Sequence, residues 1–231
     1  MNALQEILSK GKSQDLEEGI HDNCRIIDVD IQPRETHKGE RIKRNTYIKL
    51  GKFDAKGKRK LAEKEISWFN IDPTSQYVLD NFREQIIQMT GILKCYYTEE
   101  EVLEKFDIFK DIAGFETAMK DNTTLEVDEL EVALKNKPLA TKLLTNAITS
   151  FWELIQNKYG YESDLIRIKL TFDKSGKYIQ QPGYGNFAES MKVPEENSEL
   201  KMSKTESRYI DSARDYSKVG TDVKAGDLSA L

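Results

Sequence analysis

Lys43, Tyr47 and Lys49 fall on one phase of the stretch RIKRNTYIKLGKF, and Ile42, Thr46, Ile48 and Leu50 fall on the other. Such alternation marks a half-buried strand, with one phase facing a core and the other facing out. With the apolar phase turned inward, a phenol ring lies outward between two cations. That set suits an unpaired nucleic acid strand. The cations neutralise phosphates, and the ring stacks on a base for about 1–3 kcal/mol whatever the base is. The stretch DLIRIKLTFD repeats the pattern: with Ile166, Ile168, Leu170 and Phe172 inward, Arg167 and Lys169 point outward. Lys56, Lys58, Arg59 and Lys60 crowd a Gly-containing turn and are expected to form a basic finger that closes over a backbone. Tyr178, Tyr184 and Phe187 lie in KYIQQPGYGNF, whose glycines and proline fit a strand interior poorly, so these rings are expected to be exposed for stacking or to build a structural turn. The same residues also fit an ordinary solvated sheet face, on which lysines discourage edge pairing.

The charge layout favours the first reading. The chain has 231 residues and a formal net charge of -5. Between Arg25 and Lys64 thirteen bases oppose six acids, a local charge of +7. Between Glu99 and Glu131 twelve acids oppose three bases, a local charge of -9. Counterion release depends on the local patch, so an acidic total does not exclude a polyanion partner.

Other chemistry finds little support. Two cysteines, Cys24 and Cys95, and two histidines, His21 and His37, are too few for most zinc sites or a disulfide framework. Neither Cys nor Ser pairs with a usable His for nucleophilic catalysis. Gly11-Lys12-Ser13 has Glu6 where a phosphate loop needs its first glycine, and Gly57-Lys58 is followed by Arg59. Gly183 and Gly185 form a lone G-x-G. Asp28 and Asp30, two apart on one strand face, could hold a divalent ion as in a nuclease, or simply be strand surface. No cofactor is expected. The chain has no apolar run of eighteen residues and no basic start followed by an apolar block. Neither a membrane span nor a secretory leader is therefore expected, and a reduced, cytoplasmic setting fits the cysteine usage.

The elements that position these residues follow from the periodicity. Residues 1–20 read as a short amphipathic or frayed arm: Leu4, Ile7 and Leu8 have helical spacing, but Gly11 and Gly19 break the run. CRIIDVDIQ is a β-branched strand ending at Pro33, ETHKGER a polar turn region, RIKRNTYIKLGKF a second strand and LAEKEISWFNID a third. After Pro73 the period changes from two to about 3.6. Helices are expected over 74–93, 98–110 and 138–159, with Gly160 as the last stop. Strand character returns in DLIRIKLTFD and KYIQQPGYGNF. Beyond about residue 190 the chain is polar and reads as a flexible tail over 191–231. Trp68, Trp152 and Phe172 are expected in the core. The fold class is therefore α+β: about five strands in an antiparallel barrel or sheet over 21–190, with a large helical insertion at about 74–160 between strands three and four. That order matches an OB-fold with an enlarged connection, or a plain antiparallel sheet with a helical subdomain.

The ISWFNID strand end, the YVLDNFREQI helix and IRIKLTFDKSGKYIQQPGYGNF resemble phage replication single-stranded DNA-binding proteins. The likeness is one of layout and covers roughly residues 24–190. It implies an OB-fold with helical additions and a flexible C-terminal segment. It also implies no enzyme activity, a role in coating single strands during replication and recombination, and the host cytoplasm as the setting. Many such proteins recruit replication proteins through an acidic tail. This tail is nearly neutral and ends GDLSAL, which puts tail-mediated recruitment in doubt. Oligomer formation through the helices or termini is compatible with the layout. The rival reading is a structural or adaptor protein, such as a virion or assembly component, that meets protein partners through its acidic helices. A weaker one is a metal-dependent nuclease using Asp28 and Asp30.

Overall fold

A computed structural model of the chain describes residues 14–16, 18–39, 41–112, 127–160, 164–172, 179–180 and 187–202. Five strands come first: β1 (Gln14–Asp15), β2 (Gly19–Val29), β3 (Arg34–Lys38), β4 (Arg41–Phe53) and β5 (Lys60–Ile71). Among the described residues four α-helices follow: α1 (Val78–Leu93), α2 (Glu99–Lys105), α3 (Val127–Lys135) and α4 (Lys137–Gln156). β6 (Ile166–Phe172), β7 (Ile179–Gln180), β8 (Ala188–Ser190) and a 3-10 turn at Glu195–Asn197 complete the order. The class is α+β, as the change of period implies.

The strands form one sheet in the order β1-β5-β4-β2-β6-β7, with β3 alongside β4 and β8 alongside β6. β1 runs parallel to β5, and the other pairs are antiparallel. β4 spans the residues expected for it. β3 was expected as a turn. Arg34–Lys38 instead pairs with Arg41–Asn45, and the Asn45 side-chain amide donates to the Thr36 hydroxyl at 2.9 Å. Backbone pairing needs no apolar face on an edge, so a polar segment can complete the ladder. β2 and β3 run end to end along the same side of β4, interrupted around Ile31–Pro33, where proline has no N–H to give.

The helix boundaries follow their caps. At α2, Glu101 N–H donates to the Thr98 hydroxyl at 3.3 Å, and Thr98 N–H donates to the Glu101 carboxylate at 2.9 Å. Leu139 N–H donates to the Asn136 side chain at 3.2 Å to start α4. The helix expected from residue 74 starts at Val78. The Asp72 carboxylate instead accepts the Thr74 N–H at 3.0 Å and the Thr74 hydroxyl at 2.6 Å, which holds residues 72–75 in a turn. The helix expected to reach residue 110 ends at Lys105.

A continuous core joins Ile26, Ile48, Leu50 and Ile168 of the sheet to Phe82, Met89, Ile148 and Phe151 of α1 and α4. One polar joint ties the two layers. The Arg25 guanidinium is 2.7 Å from the buried Asp164 carboxylate and lies 4.5 Å over the Phe53 ring. Tyr96 donates its hydroxyl to the Asp164 carbonyl at 2.9 Å, and Tyr159 donates its hydroxyl to the Ile26 carbonyl. Gly51 leaves room for this joint. A Cβ there would lie 2.8 Å from the Phe53 ring and 3.2 Å from Ile27. Gly51→Ala is therefore expected to lower stability by about 1–3 kcal/mol in urea unfolding, as overpacking does.

The ends of the chain depart from expectation. Within the expected arm, Leu16 is buried and Gln14–Asp15 pairs with β5. Within the expected tail, residues 191–202 continue the fold, and Leu200 is only 3% exposed. Trp152 is half-buried and meets Tyr159 edge-on, with centroids 5.9 Å apart. The side chains of Trp68 and Phe172 lie outside the described residues. No helix among the described residues is long and apolar enough to cross a membrane.

Candidate functional site

β4 keeps the expected phase. Arg44, Thr46, Ile48 and Leu50 are buried, whereas Lys43, Asn45, Tyr47 and Lys49 are half-buried on the opposite face. Register decides what surrounds them. Lys49 stands between Asp28 of β2 and Glu65 of β5. Asp30 N–H donates to the Tyr47 carbonyl at 2.8 Å, and the chain then leaves the ladder before β3 begins. That interruption opens a shallow cleft of about 560 Å³ beside Tyr47, lined among others by Asp28, Asp30, Arg34, Lys49 and Glu65.

The Tyr47 ring is not bare. The Arg34 guanidinium lies 4.3 Å over its centroid, and Arg34 Nε donates to the Asp30 carboxylate at 2.7 Å. This cation–π contact makes the guanidinium plane the outer layer of the stack. Lys49 Nζ is 3.1 Å from Glu63, which Lys60 also engages. The two ammonium groups, Lys60 first, hold the Glu63 carboxyl below the ordinary range. Lys43 meets no carboxylate at ion-pair distance among the described residues.

The basic turn is an ordered loop rather than a loose finger. Lys58 N–H and Arg59 N–H donate to the Asp54 carboxylate at 2.8 and 3.3 Å. These bonds hold that carboxyl below its usual value. Gly57 N–H donates to the Asp54 carbonyl at 2.8 Å, and Gly57 takes a φ of +66°, which glycine adopts without strain. Lys56, Lys58 and Arg59 are exposed, and their side chains make no ion pair among the described residues.

No protein-family model, curated protein or solved structure matches the chain. The site is therefore read from its own geometry.

Two of the expected cations are elsewhere. Arg167 and Lys169 were expected on a solvated face, yet they are 4% and 7% exposed. Ile166–Leu170 of β6 is buried on both faces, because the segment after Phe187 folds back over the charged one. Arg167 pairs with Asp22 at 2.6 Å and with Glu189 at 2.9 Å. Lys169 Nζ donates to the Lys201 carbonyl at 3.2 Å. Both cations are held within the fold. Tyr178 and Tyr184 lie outside the described residues, and Phe187, expected to be exposed with them, is 1% exposed and packed in the core. Asp28 and Asp30 do local work: the Asp28 carboxylate accepts Val29 N–H at 3.0 Å, and Asp30 holds Arg34. Burial pushes the Cys24 and Cys95 thiols up to about 12, so neither supplies a thiolate at neutral pH.

Arg34 and Glu65 had no place in the sequence reading. Arg34 sits between Pro33 and the expected turn region ETHKGER, and Glu65 belongs to the site only through cross-strand register. What remains is a stacking post in mid-strand, with uncommitted cations toward either end of β4. At about 3.3 Å per residue, Lys43 and the turn after Phe53 are about 35 Å apart, enough for several nucleotides.

Proposed function

We propose that the protein is a non-enzymatic binder of single-stranded DNA with little sequence preference, acting in the cytoplasm where replication or recombination exposes single strands. The observation that carries this reading is the ordered basic turn, whose Lys56, Lys58 and Arg59 side chains make no ion pair among the described residues, on the same hairpin as Lys43 and the Arg34–Tyr47 stack. The strand pairing supports an OB-like architecture for it. The first long strand, β2, lies between β4 and β6, β5 lies beyond β4, and the helices fall between β5 and β6. In OB-folds the second and third strands carry much of the oligonucleotide surface, and by this count they are β4 and β5.

The test is fluorescence anisotropy of a labelled oligo-dT, repeated with duplex DNA and over a salt series. Three phosphate contacts, from Lys43, Lys58 and Arg59, give an expected slope of log K against log[salt] of about -2. Lys43→Ala is expected to cost about fivefold at 0.1 M salt, one contact's share of that slope. Lys49→Ala is expected to cost less than about twofold, because Glu63 already neutralises that ammonium. Equal losses in the two variants would show that the ion pair does not hold Lys49 back.

The adaptor reading rests on Leu103 of α2, within the acidic stretch, and Val132 of α3, just past its end, both large apolar side chains exposed to solvent. Absence of oligonucleotide binding at low salt would favour it over the nucleic-acid reading.

A further inference from the structure

The cleft at the β2–β3 interruption is ill suited to phosphate. Asp28, Asp30 and Glu65 line it against Arg34 and Lys49. Both cations are committed, Arg34 to Asp30 at 2.7 Å and Lys49 to Glu63 at 3.1 Å. A phosphate there would meet acceptors it cannot bond. A base edge rich in N–H groups meets acceptors it can use. Glu65 is exposed and has no hydrogen bond or ion pair among the described residues, and Asp28 uses one oxygen on Val29 N–H. The two carboxylates flank Lys49 in register from β5 and β2.

The stacking surface lies beside them. The Arg34 side chain is 58% exposed, although Tyr47 and Asp30 fix its guanidinium. A fixed, open guanidinium plane stacks on a nucleobase, and a lysine ammonium cannot reproduce it. A carboxylate only accepts hydrogen bonds. Guanine presents two adjacent donors, N1–H and the 2-amino group, which match the two oxygens of one carboxylate. Thymine presents a single N–H between two carbonyls, which a carboxylate repels.

Resting on the single-strand reading above, we infer that this cleft is a guanine-selective base pocket. The base stacks on the Arg34–Tyr47 pair and donates N1–H and its amino group to Glu65, with Asp28 at the rim. One base preference is thereby added to an otherwise sequence-tolerant surface.

The experiment compares three labelled oligonucleotides of about 15 nucleotides. One is all dT, one carries a single central dG, and one carries deoxyinosine, which lacks the 2-amino group, at the same place. Anisotropy titrations use the full chain and its Glu65→Gln and Arg34→Lys variants. The dG strand is expected to bind at least about fivefold more tightly than all-dT, the discrimination of one bidentate pair. Deoxyinosine is expected to lose most of that gain. Glu65→Gln is expected to abolish the gain, so that the variant binds the dG and all-dT strands alike. Arg34→Lys is expected to lose it too, although the charge is kept. Equal affinity for the three strands, or a dG preference that survives Glu65→Gln, overturns the pocket and leaves the single-strand reading standing. No binding to any of the three overturns both.

Discussion

Arg167→Met is expected to lower stability by about 3–5 kcal/mol while leaving the folded protein's affinity for single strands unchanged. The guanidinium is 2.6 Å from Asp22 and 2.9 Å from Glu189, and it donates to the Val193 carbonyl at 3.3 Å. Methionine fills much of the volume but leaves the Glu189 carboxylate buried without its cation. Removing one partner of such a pair costs far more than the pair contributes as a whole. A second change, Glu189→Leu, should therefore restore part of the loss. Urea unfolding followed by circular dichroism, with anisotropy on the folded variant, separates the two effects. Full stability with weakened binding would return Arg167 to the binding surface. Acid should act on the same cluster. Burial alone would push the Glu189 carboxyl up, but hydrogen bonds from Glu199 N–H, Ser198 and Arg167 outweigh it and hold it below the ordinary range. Its contribution is then fully present above the unfolded value of about 4.3 and is lost as pH falls through the lower folded value. In Arg167→Met that acid-side loss should shrink.

The double variant Lys58→Ala, Arg59→Ala is expected to lose about 25-fold in affinity for oligo-dT at 0.1 M salt. Its salt slope should be shallower by about 1.4, because each lost phosphate contact removes about 0.7. The turn itself should survive, because the Asp54 carboxylate holds it through backbone N–H groups rather than through the side chains removed. Asp54→Ala makes the contrast. It keeps every cation but loosens their placement, so it should weaken binding less and leave the slope unchanged. A double variant with an unchanged slope would remove the turn from the interface.

The two halves of the binding reading differ in how far the sequence disclosed them. β4 was legible to its boundaries, because Ile48 and Leu50 alternate with Tyr47 and Lys49 over a long run, and its outward face is as expected. β6 was legible as a strand and misread as a surface. Ile166, Ile168 and Leu170 are buried as expected, but so are Arg167 and Lys169. Alternation of apolar and charged residues reports which face is apolar. It does not report whether another segment covers the charged one. The covering segment is itself polar, and its carbonyl groups at Val193 and Lys201 are partners for cations, so composition made it look like tail. β3 was missed because RETHK has no apolar phase; its place comes from the β4 backbone. Arg34 over Tyr47 and Glu65 beside Lys49 are products of register, which a single chain does not display.

The long-range pairing of β2 also has a consequence in time. Gly19 pairs with Leu170, and Cys24 with Ile166, across about 150 intervening residues that include the helical layer. At about 5–20 residues per second, a ribosome needs roughly 7 to 30 s to supply β6 after β2 has emerged. During that interval β2 can zip to β4, its near neighbour in sequence, but its other edge has no native partner. The nascent chain thus carries an open strand edge, and the helices that follow are the first elements able to shelter it before β6 arrives.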